Sequence, residues 1–534
     1  MTDVLRDCIS SGDLQTANAV HARLIKSDHR GSMISLWNQI LNLNCQGGRI
    51  AHTRKLFESM PDRDTVSYNT IISAYARRDQ DVVGCMQLFI RMQEECVEPN
   101  HITVAALIGA SARLRDLYLV EAMHGLVMQC GWSTNEFVGS VLVDAYAKRA
   151  RLEDAVRAFQ EISEADLVSW NVMINGCACN GSKELASSVF SRMRREGLPL
   201  NSFTLASMTK ICSEPSDLSR GMQLHGCIVK AGLRHETPVS NALITMYSKC
   251  EEGMLSAKNI FERMPGPNII SWTAMISGFM QNGQSDDAVR VYQRMLRADV
   301  QENEFSFASV LPAYSSLARL EQGMQVHARI IKSRFGLDMS VGNGLIDMYS
   351  KCGSLADAKR VFTTMERRDV VSWTTIITGF GQHGKAREAL EILDTMTSEG
   401  FKPDTVTFLG VLSACSHGGL VDEGLRVFRS MIDDHGVKPH MRHYACVVDM
   451  LGRAGRLNDA TKFIEDMAIQ SDGLVWEALL SACRIHGEVE LGARAAENLM
   501  QLKPSKDGAY VLLANLYADR GLWEDKGKVR ERLD

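Results

Sequence analysis

Four aromatic residues, Tyr68, Trp170, Trp272 and Trp373, stand 102, 102 and 101 residues apart, each inside a variant of one stretch. The variants read TVSYNTIISAYARRD, LVSWNVMINGCACNG, IISWTAMISGFMQNG and VVSWTTIITGFGQHG. A chain of 534 residues would ordinarily divide into several globular domains, but a period this regular points to one repeat array. In the last copy, Trp373, Ile376, Ile377 and Phe380 fall at i, i+3, i+4 and i+7, one apolar helical stripe. Gly384 offers a stop. Ala386, Ala389, Leu390, Leu393 and Met396 then make a second stripe, which Gly400 and Pro403 close. Both helices are too short to persist alone in water, so the hairpin needs neighbours of its own kind.

Each period holds three such helix–turn–helix units of about 35, 35 and 31 residues. The first carries the aromatic mark, the second a late histidine and the third a tyrosine. On this reading residues 1–33 are a long unit lacking its start and 34–64 a short unit. Residues 65–166, 167–268 and 269–369 are full triplets, and 370–472 is a modified last triplet. Two further units, 473–506 and 507–534, end the array, the second stopping within a helix. An array that begins inside a helix raises the expectation of a truncated, misassigned or decayed first repeat.

Composition narrows the function classes. A hydrophobic content of 45% excludes wholesale disorder, and no apolar run is long enough to span a bilayer. The 14 cysteines are scattered without a CxxC, which favours reduced thiols over disulfides or a zinc site. A net charge of −5 counts against nucleic-acid binding unless positive charge is concentrated on one face. The opening MTDVLRDCISSGDL is neither arginine-rich nor free of acids, so no transit peptide is expected in it. His21, His124, His225 and His327 recur a triplet apart, too far to converge on one ion, and read as packing positions. His486-Gly487-Glu488 matches half of a zinc-deaminase signature, but no PCxxC follows. No metal, no cofactor and no catalytic apparatus are expected.

The heads VVSW(N/T), the tails G-x-x-P-(D/N), the MYSKCG of the short units and the strict long–long–short order carry a family resemblance. So do HYACVVDMLGRAGRL and VWEALLSACRIHG near the end. Over essentially its whole length the chain resembles the pentatricopeptide repeat family, in the land-plant subclass built from such triplets and closed by E motifs. The resemblance implies an all-α, right-handed α-solenoid that binds single-stranded organellar RNA. It makes 473–506 and 507–534 the E motifs. It further implies a specificity factor for C-to-U editing in the mitochondrion (alternatively the chloroplast), with a deaminase-bearing protein or editing cofactor supplied in trans; no membrane partner is expected. Alternatives are an organellar RNA processing, splicing or stability factor and, from another class, a protein-binding scaffold of tetratricopeptide type.

Two sets of positions carry that expectation. Val371 lies off the core stripe, and Val66, Val168 and Ile270 are its equivalents, as are Ile102, Phe203, Phe305 and Val406 in the long units. Such a rib could sandwich flat bases or pack on the next repeat. The fifth residue of a unit is polar at Asn38, Asn69, Ser140, Asn171, Asn241, Thr273, Asn343 and Thr374, and alanine at Ala105, Ala206 and Ala308. The last residue is Asp64, Asn100, Asp166, Asn201, Asn268, Asn303, Asp369 or Asp404, each equally suited to cap the next helix. Matched to the family's recognition pair, Thr with Asn implies A, Thr or Ser with Asp G, Asn with Asp U, and Asn with Asn a pyrimidine. Read from the N-terminus the chain implies 5′-UYnGYnYAnUG. Leu409 with His440 and Ala445 with Asp472 depart from readable pairs. Lys148, Lys249, Lys351 and Arg453 recur near helix ends, as phosphate contacts or as cations favoured by the helix dipole.

Overall fold

In a computed structural model of the chain, the described residues are 34–47, 49–77, 82–113, 117–212, 214, 217–250, 252–333, 338–467, 471–502 and 507–530. The expected first repeat, 1–33 with His21, lies outside them. The described residues form thirty α-helices and no strand. They fall into two compact units, Met1–Gly266 and Pro267–Asp534.

In the first unit, opening helices begin at Ile34, Thr65, His101, Glu136, Leu167, Ser202 and Thr237. Each is followed by a second helix packed against it, and each opening helix also packs on the opening helices before and after it. A second helix touches its own partner and the next opening helix. Opening helices therefore form one continuous layer and second helices the other. The second unit repeats the scheme from Ile269, Glu304, Met339, Val370, Thr405, Met441, Gly473 and Asp507.

The aromatic marks are core. Tyr68, Trp170 and Trp373 are at most 1% exposed. A phenylalanine eleven residues earlier meets each ring edge-on: Phe57 at 5.0 Å, Phe159 at 4.8 Å and Phe362 at 4.7 Å between centroids. The recurrent histidines also pack, with Nδ1 of His124, His225 and His327 at 2.9, 3.0 and 2.8 Å from the hydroxyls of Tyr146, Tyr247 and Tyr349. Burial lowers the pKa of His225 and His327, which favours the neutral ring in both.

The fifteenth residue of a unit makes the turn between its helices in the left-handed region. It is glycine at Gly181, Gly283, Gly353, Gly384, Gly419, Gly455, Gly487 and Gly521, with φ between 68° and 83°. At the same place Ala150 has φ 57° and Ala318 φ 50°. A side chain there costs ~1–2 kcal/mol, partly offset by the looser unfolded chain that glycine brings. Ala150→Gly and Ala318→Gly are each expected to stabilise their hairpins by roughly 0.5–1 kcal/mol. Slower native-state hydrogen exchange in those hairpins would register the gain, and unchanged or faster exchange would contradict it.

Candidate nucleic-acid interface

The rib stays in solvent. Val66, Ile102, Val168, Phe203, Ile270, Phe305, Val371 and Val406 are between 42% and 65% exposed. Packing on the next repeat's opening helix therefore does not bury it. Phe137, at the second position of a short unit, joins the rib at 51% exposed. Its ring meets the edge of His101 at 6.4 Å.

The last residues cap, as their chemistry allows. Asp64 Oδ1 accepts from the Ser67 amide at 2.8 Å, Asp369 Oδ1 from Ser372 at 2.8 Å and Asp404 Oδ1 from Thr407 at 2.8 Å. Asp166, Asn201, Asn268 and Asn303 cap through the amides of Ser169, Thr204, Ser271 and Ser306. Asn100 does so through Thr103. Capping uses Oδ1 in every case, so an aspartate keeps a second acceptor, Oδ2, and an asparagine a donor, Nδ2. Burial by itself raises the Asp64 carboxyl, but hydrogen bonds from the Ser67 amide, the Asn38 amide and the Ser67 hydroxyl outweigh it. They hold the group below its ordinary value. Asp369 is lowered in the same way, against burial, by Ser372 and Asn343.

Fifth and last residues meet directly in several units. Asn38 Nδ2 donates to Asp64 Oδ1 at 3.0 Å, Asn69 Nδ2 to Asn100 Oδ1 at 2.9 Å, and Asn343 Nδ2 to Asp369 Oδ1 at 3.4 Å. Asn171 Nδ2 reaches Asn201 Oδ1 at 3.5 Å, the limit for a hydrogen bond. Ser140, Thr273 and Thr374 make no hydrogen bond to Asp166, Asn303 or Asp404. Ser140 instead meets Ser169 Oγ at 2.7 Å, Thr374 meets Thr407 Oγ1 at 2.7 Å, and Thr273 bonds back to the Ile269 carbonyl at 2.8 Å. Asn241 belongs to the first unit and Asn268 to the second. The polar fifth residues are buried in the first unit, Asn38, Asn69, Ser140, Asn171 and Asn241 at 7–9% exposed, and half-buried in the second.

The residue missing from the sequence reading is the hydroxyl two places into the next helix. Ser67, Thr103, Ser169, Thr204, Ser271, Ser306, Ser372 and Thr407 are all 0% exposed. Ser67 Oγ lies 2.6 Å from Asn38 Oδ1 and 2.7 Å from Asp64 Oδ1, and Thr103 Oγ1 lies 2.5 Å from Asn69 Oδ1. Ser67, Thr103 and Thr204 thus orient the fifth-position amides of the preceding repeats, Asn38, Asn69 and Asn171. The sequence signal was the Ser or Thr three residues after each capping Asp or Asn, half of a capping box.

Rib and pair share clefts. In the second unit Val371, Thr374, Asp404 and Val406 line one cleft of about 330 Å³. In the first, Asn38, Asp64, Asn69 and Asn100 line another of about 640 Å³ together with Val66 and Ile102. Apolar side chains of consecutive repeats thus stand with one polar pair in the cleft at Thr374 and two in the cleft at Asn38.

Comparison with known proteins identifies the repeat family. The PPR repeat family matches at residues 63–113, 165–214, 267–316 and 368–417, a PPR repeat at 343–370 and 406–435, and an E motif at 486–534. A pentatricopeptide repeat-containing protein of Arabidopsis thaliana is 34% identical over 99% of this chain and 77% of its own length. The chain belongs to the pentatricopeptide repeat family. A second Arabidopsis member, named mitochondrial, is 35% identical over 99% of this chain and 69% of its length. A third, named chloroplastic, is 35% identical over 99% and 65%. Among solved structures, maize PPR10 aligns with a TM-score of 0.59 at 16% identity, over 99% of this chain and 89% of that one. PPR10 in complex with an 18-nt psaJ RNA element aligns at 0.57 and 15%, over 98% and 83%. At these identities the likeness shows the fold.

Within this pentatricopeptide array the recurrent cations are mostly neutralised. Lys148 pairs with Asp144 at 2.6 Å, Lys351 with Asp347 at 3.0 Å and Arg453 with Asp449 at 2.8 Å, all at i−4. The exception is Lys249, which has Thr245 at that place. The described residues hold no cluster of histidine, cysteine or acid able to bind a metal ion, and no helix long and apolar enough to cross a membrane.

Proposed function

We propose that this protein binds single-stranded RNA in sequence-specific fashion in a plant organelle and selects a site for C-to-U editing, the deaminase being supplied in trans. The observation that carries the binding is the cleft holding Val371, Val406, Thr374 and Asp404. A base stacked between two such apolar side chains of successive repeats turns its Watson–Crick edge toward the polar pair. There the spare atom of the last residue decides. Asp Oδ2 accepts from the imino N–H of U or G, whereas Asn Nδ2 donates to the ring nitrogen of A or C. The fifth residue then separates purine from pyrimidine within each class, and Ala105, Ala206 and Ala308 offer no polar group to do so. The sites are thus Asn38 with Asp64, Asn69 with Asn100, Ser140 with Asp166, Asn171 with Asn201, Thr273 with Asn303, Asn343 with Asp369 and Thr374 with Asp404, and, each taken within its own unit, Asn241 as a fifth residue and Asn268 as a last residue. The repeat bounds 34–64, 65–166, 167–268, 269–369 and 370–472 stand with this assignment. The protein has no enzymatic activity of its own, and the units after Gly473 dock the editing partner. The mitochondrion is the favoured compartment.

Gel-shift titrations at fixed salt test the reading. A strand containing 5′-UYnGYnYAnUG is expected to bind more tightly than its scrambled isomers, with an affinity that falls steeply as salt rises. Equal affinity for both strands would sink the assignment. In the host plant, loss of the gene is expected to leave one organellar cytidine unedited; altered transcript ends with editing intact would instead favour a processing factor.

A further inference from the structure

A second cleft, of about 660 Å³, opens in the first unit away from the rib and the pairs. It lies between the second helices Leu218–Lys230 and Met254–Glu262 and the 231–236 turn. Polar groups from His225, Arg234, His235, Ser256, Asn259 and Arg263 line it, with Val229, Leu243, Ile260 and Met264 as the apolar part. No carboxylate is among them, and Glu236 and Glu262, next in sequence, are not lining residues.

The other triplets show what is unusual. Counting back from the tryptophan, Arg263 stands nine residues before Trp272, where the first triplet has Glu161 before Trp170 and the third Thr364 before Trp373. Sixteen residues before, Ser256 replaces Asp154 and Asp357. In the first triplet His124 Nε2 faces Glu161 at 3.8 Å. In the third, Asp357 interacts with His327. The second triplet keeps the histidine–tyrosine pair, His225 with Tyr247, but exchanges its acids for a hydroxyl and a guanidinium and adds Arg234 from the turn. Neither Arg234 nor Arg263 forms an ion pair with a carboxylate among the described residues. Arg234 Nε donates to His235 Nε2 at 2.9 Å, which places the two side chains together at the rim.

We infer that this cleft binds a small phosphomonoester of nucleotide size. Two guanidiniums and the amide and hydroxyl of Asn259 and Ser256 supply donors for a doubly charged oxyanion, which arginine forks bind bidentately. Val229, Leu243, Ile260 and Met264 cover the ring that carries it. The volume lies within the ~300–1,000 Å³ common for small-molecule sites. The inference is independent of the RNA reading, since no residue of the rib or the pairs takes part.

Isothermal titration of the full chain with adenosine monophosphate tests it, with adenosine and inorganic phosphate as the other arms. The expected result is saturable binding of the monophosphate, competition by phosphate, and adenosine weaker by about tenfold or more. Arg263→Glu, which copies the first triplet, is expected to weaken monophosphate binding by at least about tenfold and to leave RNA gel shifts and the helical melting curve unchanged. Arg234→Ala, in the exposed turn, should act in the same direction. Equal binding of adenosine and its monophosphate, or undiminished binding by both variants, overturns the inference. A parallel loss of RNA affinity in Arg263→Glu also overturns it, by giving the cleft to an RNA phosphate. The readout is nucleotide binding, so an array that failed to select any RNA would leave this test intact.

Discussion

Replacing Asp404 by asparagine is expected to move the base preferred at the last readable position from G to A. The cap survives, because Oδ1 of asparagine accepts from the Thr407 amide as Asp404 Oδ1 does at 2.8 Å. The swap between two good caps should therefore change stability by no more than ~0.5 kcal/mol. What changes is the second atom, an acceptor in Asp404 and a donor in the variant. Opposite guanine, Nδ2 would face an imino N–H, donor against donor; opposite adenine it would meet a ring nitrogen acceptor. Leaving a desolvated donor unmatched costs roughly 1–3 kcal/mol, so discrimination should invert by about tenfold in each direction. Competition binding with strands differing only at that base measures it. Asn303→Asp, beside Thr273, is the reciprocal change, from A to G at the eighth position. If Asp404→Asn weakened both strands equally, Asp404 would be a cap and nothing more.

The array was legible because burial imposes a period that composition cannot hide. Opening helices begin at Thr65, Leu167, Ile269 and Val370, the residues at which the aromatic-marked units were read, since an exposed stripe cannot hold its place. The histidines were read as packing groups because a triplet's spacing keeps them from converging on one ion, and His124, His225 and His327 each sit against a tyrosine. Less legible was how polar groups share atoms. Capping and pairing were weighed as rivals for Asp64, whereas the carboxylate does both, with Oδ1 on the Ser67 amide and on Asn38. The hydroxyl of Ser67 escaped notice because a serine at the third helical position reads as half a capping box whether or not it also touches the preceding repeat. The amide Asn69 looked like an open reading group, yet its Nδ2 and Oδ1 already have partners in Asn100 and Thr103. The Arg263 cleft was invisible for a different reason. Its charge follows from acids lost at positions that meet only when the hairpin closes.

Val371→Ser and Trp373→Ala, two residues apart on one helix, should fail in opposite ways. Trp373 is 1% exposed, with Phe362 against its edge at 4.7 Å and the Arg368 guanidinium 5.9 Å from its ring centre. Emptying that site should cost about 3–5 kcal/mol. In an array whose repeats contact only their neighbours, the loss concentrates in the hairpins around 339–404 rather than spreading along the chain. Hydrogen exchange in those helices should accelerate by at least about a hundredfold, and RNA affinity should fall with them because the reading residues lose their support. Val371 is 58% exposed, so Val371→Ser should alter exchange by less than ~0.5 kcal/mol while removing one wall of the proposed base sandwich. Stacking partners contribute about 1–3 kcal/mol per base, so RNA affinity should drop by roughly tenfold. The division is informative because helix propensity, chain position and repeat are nearly the same for both residues; only the face differs. Exchange as fast in Val371→Ser as in Trp373→Ala would make the rib a packing element and remove the stacking argument from all its equivalents, Val66, Val168 and Ile270 included.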